Sequence, residues 1–185
     1  MDAPLLKAAI DANLEHLRPW LPWAQYEPED LQTKIERLRQ WRGAFDLGQD
    51  FAYGIFNREE TQVLGSSGLH TRVGSEAREI GYWVHQDRIN QGLATEAAAA
   101  LTRVGFVIDR VARIEIHCAP DNIRSQAVPR KLGFRHEATL RQRARTSDGK
   151  PRDTMIWTLL ADEYLTTPAA TAEIAAFDVM GHQLL

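Results

Sequence analysis

The run Arg88-Ile-Asn-Gln-Gly-Leu-Ala-Thr-Glu-Ala97 lies between a β-like segment ending near His85 and an alanine-rich helix. A strand that delivers its carboxyl end to a glycine-bearing turn and a helix N-terminus aims several unpaired backbone N–H groups at one point, with the helix dipole behind them. That arrangement suits an anion, and Gly92 lets the backbone come close to it. A lone glycine would do no more than ease a tight turn. Here Ala97 to Ala100 let the following helix lie against a sheet or ligand, and a second helix start follows at Asn122. Asn122 reads as an N-cap, whereas Ser125 sits one turn inside its helix, where no cap is needed, so its hydroxyl is available for chemistry. Two helix starts at neighbouring strand ends imply a crevice between the strands.

The elements that must hold these residues follow from periodicity. Leu6, Ile10, Leu14 and Leu17 recur at helical spacing until Pro19 and Pro22 break the pattern, which predicts a helix followed by an aromatic loop carrying Trp20 and Trp23. Leu31, Ile35, Leu38 and Phe45 predict a second amphipathic helix with Glu29 and Asp30 in its first turn. Three antiparallel strands are expected at Phe51 to Phe56, Val63 to His70 and Glu79 to His85. A long helix then begins near Gly92 with Leu93, Ala97, Leu101, Val104 and Ile108 on one face. A strand over Arg113 to Cys118 puts Ile114, Ile116 and Cys118 on one side and Arg113, Glu115 and His117 on the other. The helix after Asn122 should stop at Gly133. A hairpin with arms at Phe134 to Arg145 and Pro151 to Leu160 turns at Ser147-Asp-Gly-Lys150. The pattern describes one α/β domain over 1–165 and an alanine- and threonine-rich tail over 166–185, read as disordered or as an edge strand.

Composition bounds what the site can serve. With 185 residues the chain buries one core, and its formal net charge of -3 gives no global attraction to nucleic acid. An anion site must therefore be local. The single cysteine, Cys118, excludes an intramolecular disulfide framework and fits a reducing compartment, with the cytoplasm as the simplest address. The N-terminal segment does not read as a signal peptide, and no stretch approaches the length of a membrane span. The glycines lack the spacing of a dinucleotide fingerprint and the end of a P-loop.

Leu17-Arg-Pro-Trp-Leu-Pro-Trp23, Gly65-Ser-Ser-Gly-Leu-His70, Glu79-Ile-Gly-Tyr-Trp-Val84, Gly92-Leu-Ala-Thr-Glu-Ala97, Asn122 with Ser125, and Lys131-Leu-Gly-Phe134 together resemble the GNAT superfamily of N-acetyltransferases, in particular its ribosomal-protein N-terminal acetyltransferase branch. The resemblance implies a mixed, mostly antiparallel sheet whose fourth and fifth strands splay apart, with the pantetheine arm of acetyl-CoA between them and no metal. It implies that Trp83 and Val84 offer backbone groups to that arm. Asn90, Gln91, Gly92, Leu93, Ala94 and Thr95 would cradle the pyrophosphate, and Asn122 would contact the arm near the thioester. Two positions depart from the family's pattern. Ile89 stands where Gln or Arg usually opens the phosphate loop, with Arg88 one place early. Ala144 stands near the place of a glutamate that serves some members of the branch as base. Close relatives usually begin with a strand before the first helix; this chain begins at about that helix, so the strand is absent or the run Ala175 to Leu185 fills the edge, with a homodimer as one way to do so.

Direct attack of an amine on the thioester needs a deprotonated nucleophile, a stabilised oxyanion and a proton for the thiolate. On the resemblance these tasks fall to Glu79 acting through water, the Val84 N–H and Ser125. His70 is a further candidate for the base, and Trp20, Trp23, His70 and Glu79 would line the acceptor cleft. Cys118 reads as a buried hydrophobe. An α-amine with a pKa of about 8 is the easier acceptor, because a lysine near 10.4 costs roughly 4 to 5 kcal/mol to deprotonate at neutral pH. A peptide N-terminus or a small primary amine is therefore favoured. A module that binds or senses acyl-CoA without turnover is the competing reading, motivated by Ile89 and Ala144.

Overall fold

A computed structural model describes residues 2–185, leaving Met1 of the N-terminal segment outside the described residues. The leucine-spaced N-terminus forms two helices, α1 (Asp2–Asp11) and α2 (Leu14–Leu17). The break falls at Asn13, which is fully buried: its amide donates to the Ala9 carbonyl at 2.6 Å and accepts the Gln86 N–H at 2.6 Å. A short polar side chain that engages the backbone in this way competes with helix continuation. Helix α3 (Leu31–Asp46) starts where expected, but Asp30 is its N-cap, accepting the Thr33 N–H at 2.7 Å. Leu31, assigned to its core face, is exposed, and Lys34 is buried instead.

Strands β1 (Phe51–Phe56), β2 (Val63–His70) and β3 (Ala77–Val84) form the antiparallel meander. β3 begins two residues before the expected Glu79 because Ala77 opens a parallel ladder with β4 (Arg113–Cys118). The hairpin β5 (Arg135–Arg145) and β6 (Pro151–Leu160) completes a six-stranded sheet in the order β1-β2-β3-β4-β6-β5. The fold is thus a mixed, mostly antiparallel open sheet flanked by helices. Among the described residues no strand precedes α1, so the pair that splays is β3 and β4, one number lower than the resemblance implies.

Helix α4 (Leu93–Val107) and helix α5 (Ile123–Leu132) cover one face of the sheet around Leu69, Ile80, Ile114 and Ile116. The buried side of α4 is Ala98, Ala99, Leu101, Thr102 and Gly105, so of the expected face Leu101 is buried while Leu93, Ala97 and Val104 are not fully so. The smallest side chains give the closest approach: a Cβ on Gly105 would lie 2.7 Å from Ile114 Cδ1. The opposite face carries α1, α2 and the aromatic loop, packed on Val63 and Trp83.

After a short helix α6 (Ala161–Tyr164), Ala169 is fully buried in the α4/α5 core and Arg103 holds the Ala172 carbonyl at 2.6 Å. Packed structure thus continues past residue 165. The last residues pair with each other, Phe177 with Gln183, and among the described residues nothing pairs with the outer edge of β1.

Candidate active site

Ala77, Arg78 and Glu79 pair with Arg113, Ile114 and Glu115, and beyond Glu79 strands β3 and β4 separate. The gap opens into a cleft of about 990 Å³. Register decides which backbone groups face it. The His85 N–H bonds the Leu64 carbonyl at 2.7 Å. In an antiparallel ladder the adjoining pair, Val84 with Gly65, is then of the non-bonded kind, so Val84 turns its N–H and C=O away from β2 and into the gap. Tyr82 does the same, whereas Trp83 is bonded across to Ser66. Trp83 lines the cleft while its backbone is engaged with β2, and the second set of free backbone groups comes from Tyr82.

At the end of β3 the chain passes through Asn90 at φ 61° and Gly92 at φ 89° into α4. These left-handed residues fold the turn back on itself. The first bond into the helix runs from the Glu96 N–H to the Gly92 carbonyl at 2.9 Å, which leaves the N–H groups of Leu93, Ala94 and Thr95 for a ligand. Asn90, Gly92, Leu93, Ala94 and Thr95 line the cleft, as do Arg88 and Ile89. Gln91 points elsewhere, its amide donating to the Asp87 carbonyl at 3.3 Å.

On the far wall, Asn122 caps α5 by accepting the Ser125 N–H at 3.1 Å. Pro129 lies inside this helix and has no N–H, so the Ser125 carbonyl four residues earlier lacks its helical donor. The Tyr82 hydroxyl supplies one at 3.0 Å and lies 3.1 Å from Ser125 Oγ. Burial pushes the Tyr82 phenol well above its ordinary range, so it remains a donor. A carbonyl only accepts; with the phenol proton directed there, the Ser125 hydroxyl donates to Tyr82 in the resting site. Tyr82 was not among the expected site residues, although a proline four residues after Ser125 signals a free carbonyl. Cys118 is buried on the same side, and burial raises its thiol, which leaves no activated nucleophile there.

Glu79 lies on the other face of the sheet, at the last rung of the β3–β4 ladder, and lines the cleft. Arg72 grips it with two bonds of 2.7 and 2.6 Å. Burial alone would raise this carboxyl, but the Arg72 fork, with His117 and His70 near it, outweighs burial and holds it below its ordinary value. A carboxylate so stabilised is a better receptor for an ammonium group than a base. It also couples folding to pH. The folded-state value lies below the unfolded one, so the stabilisation is present above the ordinary carboxyl range and is lost as pH falls through the folded value. Acid titration is expected to destabilise the protein below about pH 4, and Arg72→Met to flatten that part of the curve; urea midpoints measured from pH 3 to pH 7 read both.

Trp20 lines the cleft, and Arg152 fixes the aromatic loop over it through the Pro19 and Trp20 carbonyls at 2.7 and 3.1 Å. Trp23 instead packs into the core beneath α1. His70 lies outside the cleft lining: its ring fills the space over Gly68, and Nδ1 is 3.0 Å from both Asp50 oxygens. The acceptor side contains a further histidine, which alternation along β4 places only on the polar side of its strand. His117 lines the cleft beside Glu79, and Ala144 lines it too. Among the described residues no group of three His, Cys, Asp or Glu side chains is arranged to hold a metal ion, and no helix is long and apolar enough to cross a membrane.

An open mixed sheet parted at two strand ends, with a helix N-terminus at one mouth of the gap, defines an α/β protein built to take an extended, anion-bearing ligand. The chain belongs to the acetyltransferase (GNAT) domain family, whose model matches residues 1–135. The uncharacterized N-acetyltransferase YoaA of Bacillus subtilis is 26% identical over 133 residues, 71% of this chain and 75% of that one. The [ribosomal protein uS5]-alanine N-acetyltransferase of Escherichia coli is 26% identical over 157 residues, covering 82% of this chain and 79% of its own. Among solved structures, RimJ of Mycobacterium smegmatis in complex with CoA-disulfide superposes with a TM-score of 0.77 at 26% identity, over 91% of this chain and 82% of that one. The chain is thus an acetyltransferase with ribosomal-protein N-acetyltransferases among its relatives.

Proposed function

We propose that this protein is a cytoplasmic N-acetyltransferase that moves an acetyl group from acetyl-CoA to a primary amine by direct attack, with a protein N-terminal α-amine as the foremost acceptor. The observation that carries the reading is the parted β3–β4 pair, whose inner edge presents the Tyr82 and Val84 backbone groups to an extended arm. The free N–H groups of Leu93, Ala94 and Thr95 suit the pyrophosphate at one mouth. Arg88, one residue before Ile89, adds a charge to that wall. The thioester then lies near the Val84 N–H, which receives the oxyanion. Ser125 gives its proton to the departing thiolate while Tyr82 keeps the residue in place. Glu79 receives the amine from the opposite face of the sheet, under Trp20. An acceptor with an α-amine fits because less of its proton affinity must be overcome. The name of the Escherichia coli relative, which specifies an alanine of a ribosomal protein, supports a protein acceptor.

Thiol release from acetyl-CoA, measured with N-terminal peptides and small primary amines as acceptors, tests the reading. Acceptor-dependent release is expected, strongest with α-amines. Binding of acetyl-CoA without release to any amine would count against turnover and for a sensing module. Ser125→Ala is expected to lower kcat by about tenfold to a hundredfold, with acetyl-CoA affinity little changed, as befits loss of a proton donor. An unimpaired variant would remove Ser125 from the chemistry.

A further inference from the structure

The acceptor side of the cleft holds a cluster of ionisable side chains on the polar face of β3 and β4. Glu115 is buried and lies 2.6 Å from both Arg113 Nε and His117 Nε2. Glu79, one strand away, is paired with Arg72 and has Oε2 3.7 Å from His117 Nδ1. His117 itself is partly exposed to the cleft. Its ring is therefore set between two carboxylates, each of which already has an arginine partner. His70 lies beyond Glu79, and Arg152, further along β6, is occupied by the aromatic loop. Arg72 and Arg113 thus balance the charges of Glu79 and Glu115.

The geometry points to His117 as the general base of the transfer, oriented by Glu115 and joined by Glu79 as the second acceptor of a receptor for a primary ammonium group. This assignment rests on the acetyltransferase reading above. Glu115 is an acceptor only, so Nε2 carries a proton, and in the neutral ring it is Nδ1 that presents a lone pair, beside a Glu79 oxygen. An ammonium has three N–H groups. One donates to Nδ1 and a second to Glu79 Oε2, which leaves the nitrogen directed at the gap where the thioester lies. Nδ1 takes the first proton and frees the nitrogen lone pair. The C–N bond then forms as the C–S bond breaks; the second proton of the nitrogen goes to the thiolate by way of Ser125, the third remains on the amide, and His117 returns its proton to water. The positive charge gained by the ring is met by two carboxylates already in place, which is the support a base needs while it holds a proton. Glu79, held charged by Arg72, recognises the amine, and Glu115 positions the ring.

The test is the pH profile of kcat/KM with an α-amine peptide, for the wild type, His117→Asn and Glu115→Gln, together with acetyl-CoA affinity. His117→Asn is expected to lose about a hundredfold or more at pH 7. It should recover roughly tenfold per pH unit as the free amine accumulates, up to the acceptor's own pKa, with acetyl-CoA affinity unchanged. Glu115→Gln should move the acidic limb of the profile to lower pH, because the charged ring loses a partner; a purely structural role would not shift that limb. A His117→Asn enzyme with wild-type rates and profile would overturn the assignment while leaving the acetyltransferase reading intact. If that variant does not fold, an unmoved acidic limb in Glu115→Gln overturns it. A wild type that acetylates no amine would sink the reading itself, and the base with it.

Discussion

Lys34→Ala is expected to lower the stability of the fold by about 3–5 kcal/mol, seen as a fall in the urea midpoint without a change in slope. Lys34 is buried in α3, its ammonium bonded to Glu27 and 2.8 Å from Glu29 Oε2. Glu27 is itself buried, and its second oxygen accepts the Glu29 N–H at 2.8 Å. Removing the lysine leaves a carboxylate in the interior with no counter-charge, and that uncompensated charge, rather than the value of the pair, sets the size of the loss. Arg37 also holds Glu29, so that neighbour keeps a partner. The pair Lys34→Met with Glu27→Gln removes both charges together and should lie closer to the wild type than Lys34→Ala. A single variant within about 1 kcal/mol of the wild type would show that water reaches the site.

The same knot reaches the active site. Glu27 ends the aromatic loop, and Arg18, at its beginning, holds the Glu27 carbonyl at 3.1 Å. Trp20 lies between these anchors and lines the cleft, so loosening Lys34 should raise the KM for the amine more than that for acetyl-CoA.

Much of this architecture is legible along the chain, for identifiable reasons. The hairpin is marked by Asp148-Gly149, and Gly149 takes the left-handed conformation at φ 81°. The end of α5 is marked by Gly133 at φ 87°, and the anion turn by Gly92. Each is a local signal with a local consequence. Other features depend on contacts distant in sequence. Lys34 falls at helical spacing between Leu31 and Leu38, but as a lysine it reads as solvent-facing, and only the Glu27 and Glu29 side chains make its burial tolerable. The buried side of α4 is chosen by how closely it approaches Ile114, which favours Gly105 over Val104. Alternation along β4 does place Glu115 and His117 on one face. It cannot show that β3 ends its pairing opposite Glu115, which brings Glu79 to His117. Asn13 looks like a helix residue until Gln86, from beyond β3, offers its N–H.

Gly65→Ala is expected to destabilise the protein by about 3 kcal/mol and Gly65→Val to leave no folded protein, contrary to the usual gain from replacing glycine inside a strand. A Cβ at this position would stand 2.2 Å from the Trp83 carbonyl oxygen and 3.1 Å from Val84 Cα. Both are backbone atoms, so no rotamer change relieves the contact. The constraint arises where β2 bulges: Ile55 pairs with Gly65 and Phe56 with Val63, so Leu64 is the extra residue and β2 is pressed towards β3 at the next position. β3 is the wall of the parted gap, and the displaced segment is the one that turns the Val84 N–H into it, where the proposed thioester would lie. The two effects can be separated. At a temperature where Gly65→Ala is fully folded, isothermal titration should show weakened acetyl-CoA binding and kinetics a reduced kcat, because both the arm and the oxyanion depend on the same stretch of β3. The comparison is Gly68→Ala on the same strand, where the clash is with the His70 ring at 2.4 Å, a side chain outside the cleft lining that can turn aside. That variant should lose stability with much less effect on acetyl-CoA affinity. Equal losses of affinity in the two would mean that the β2–β3 ladder transmits strain along its whole length and that Gly65 has no special hold on the acyl site.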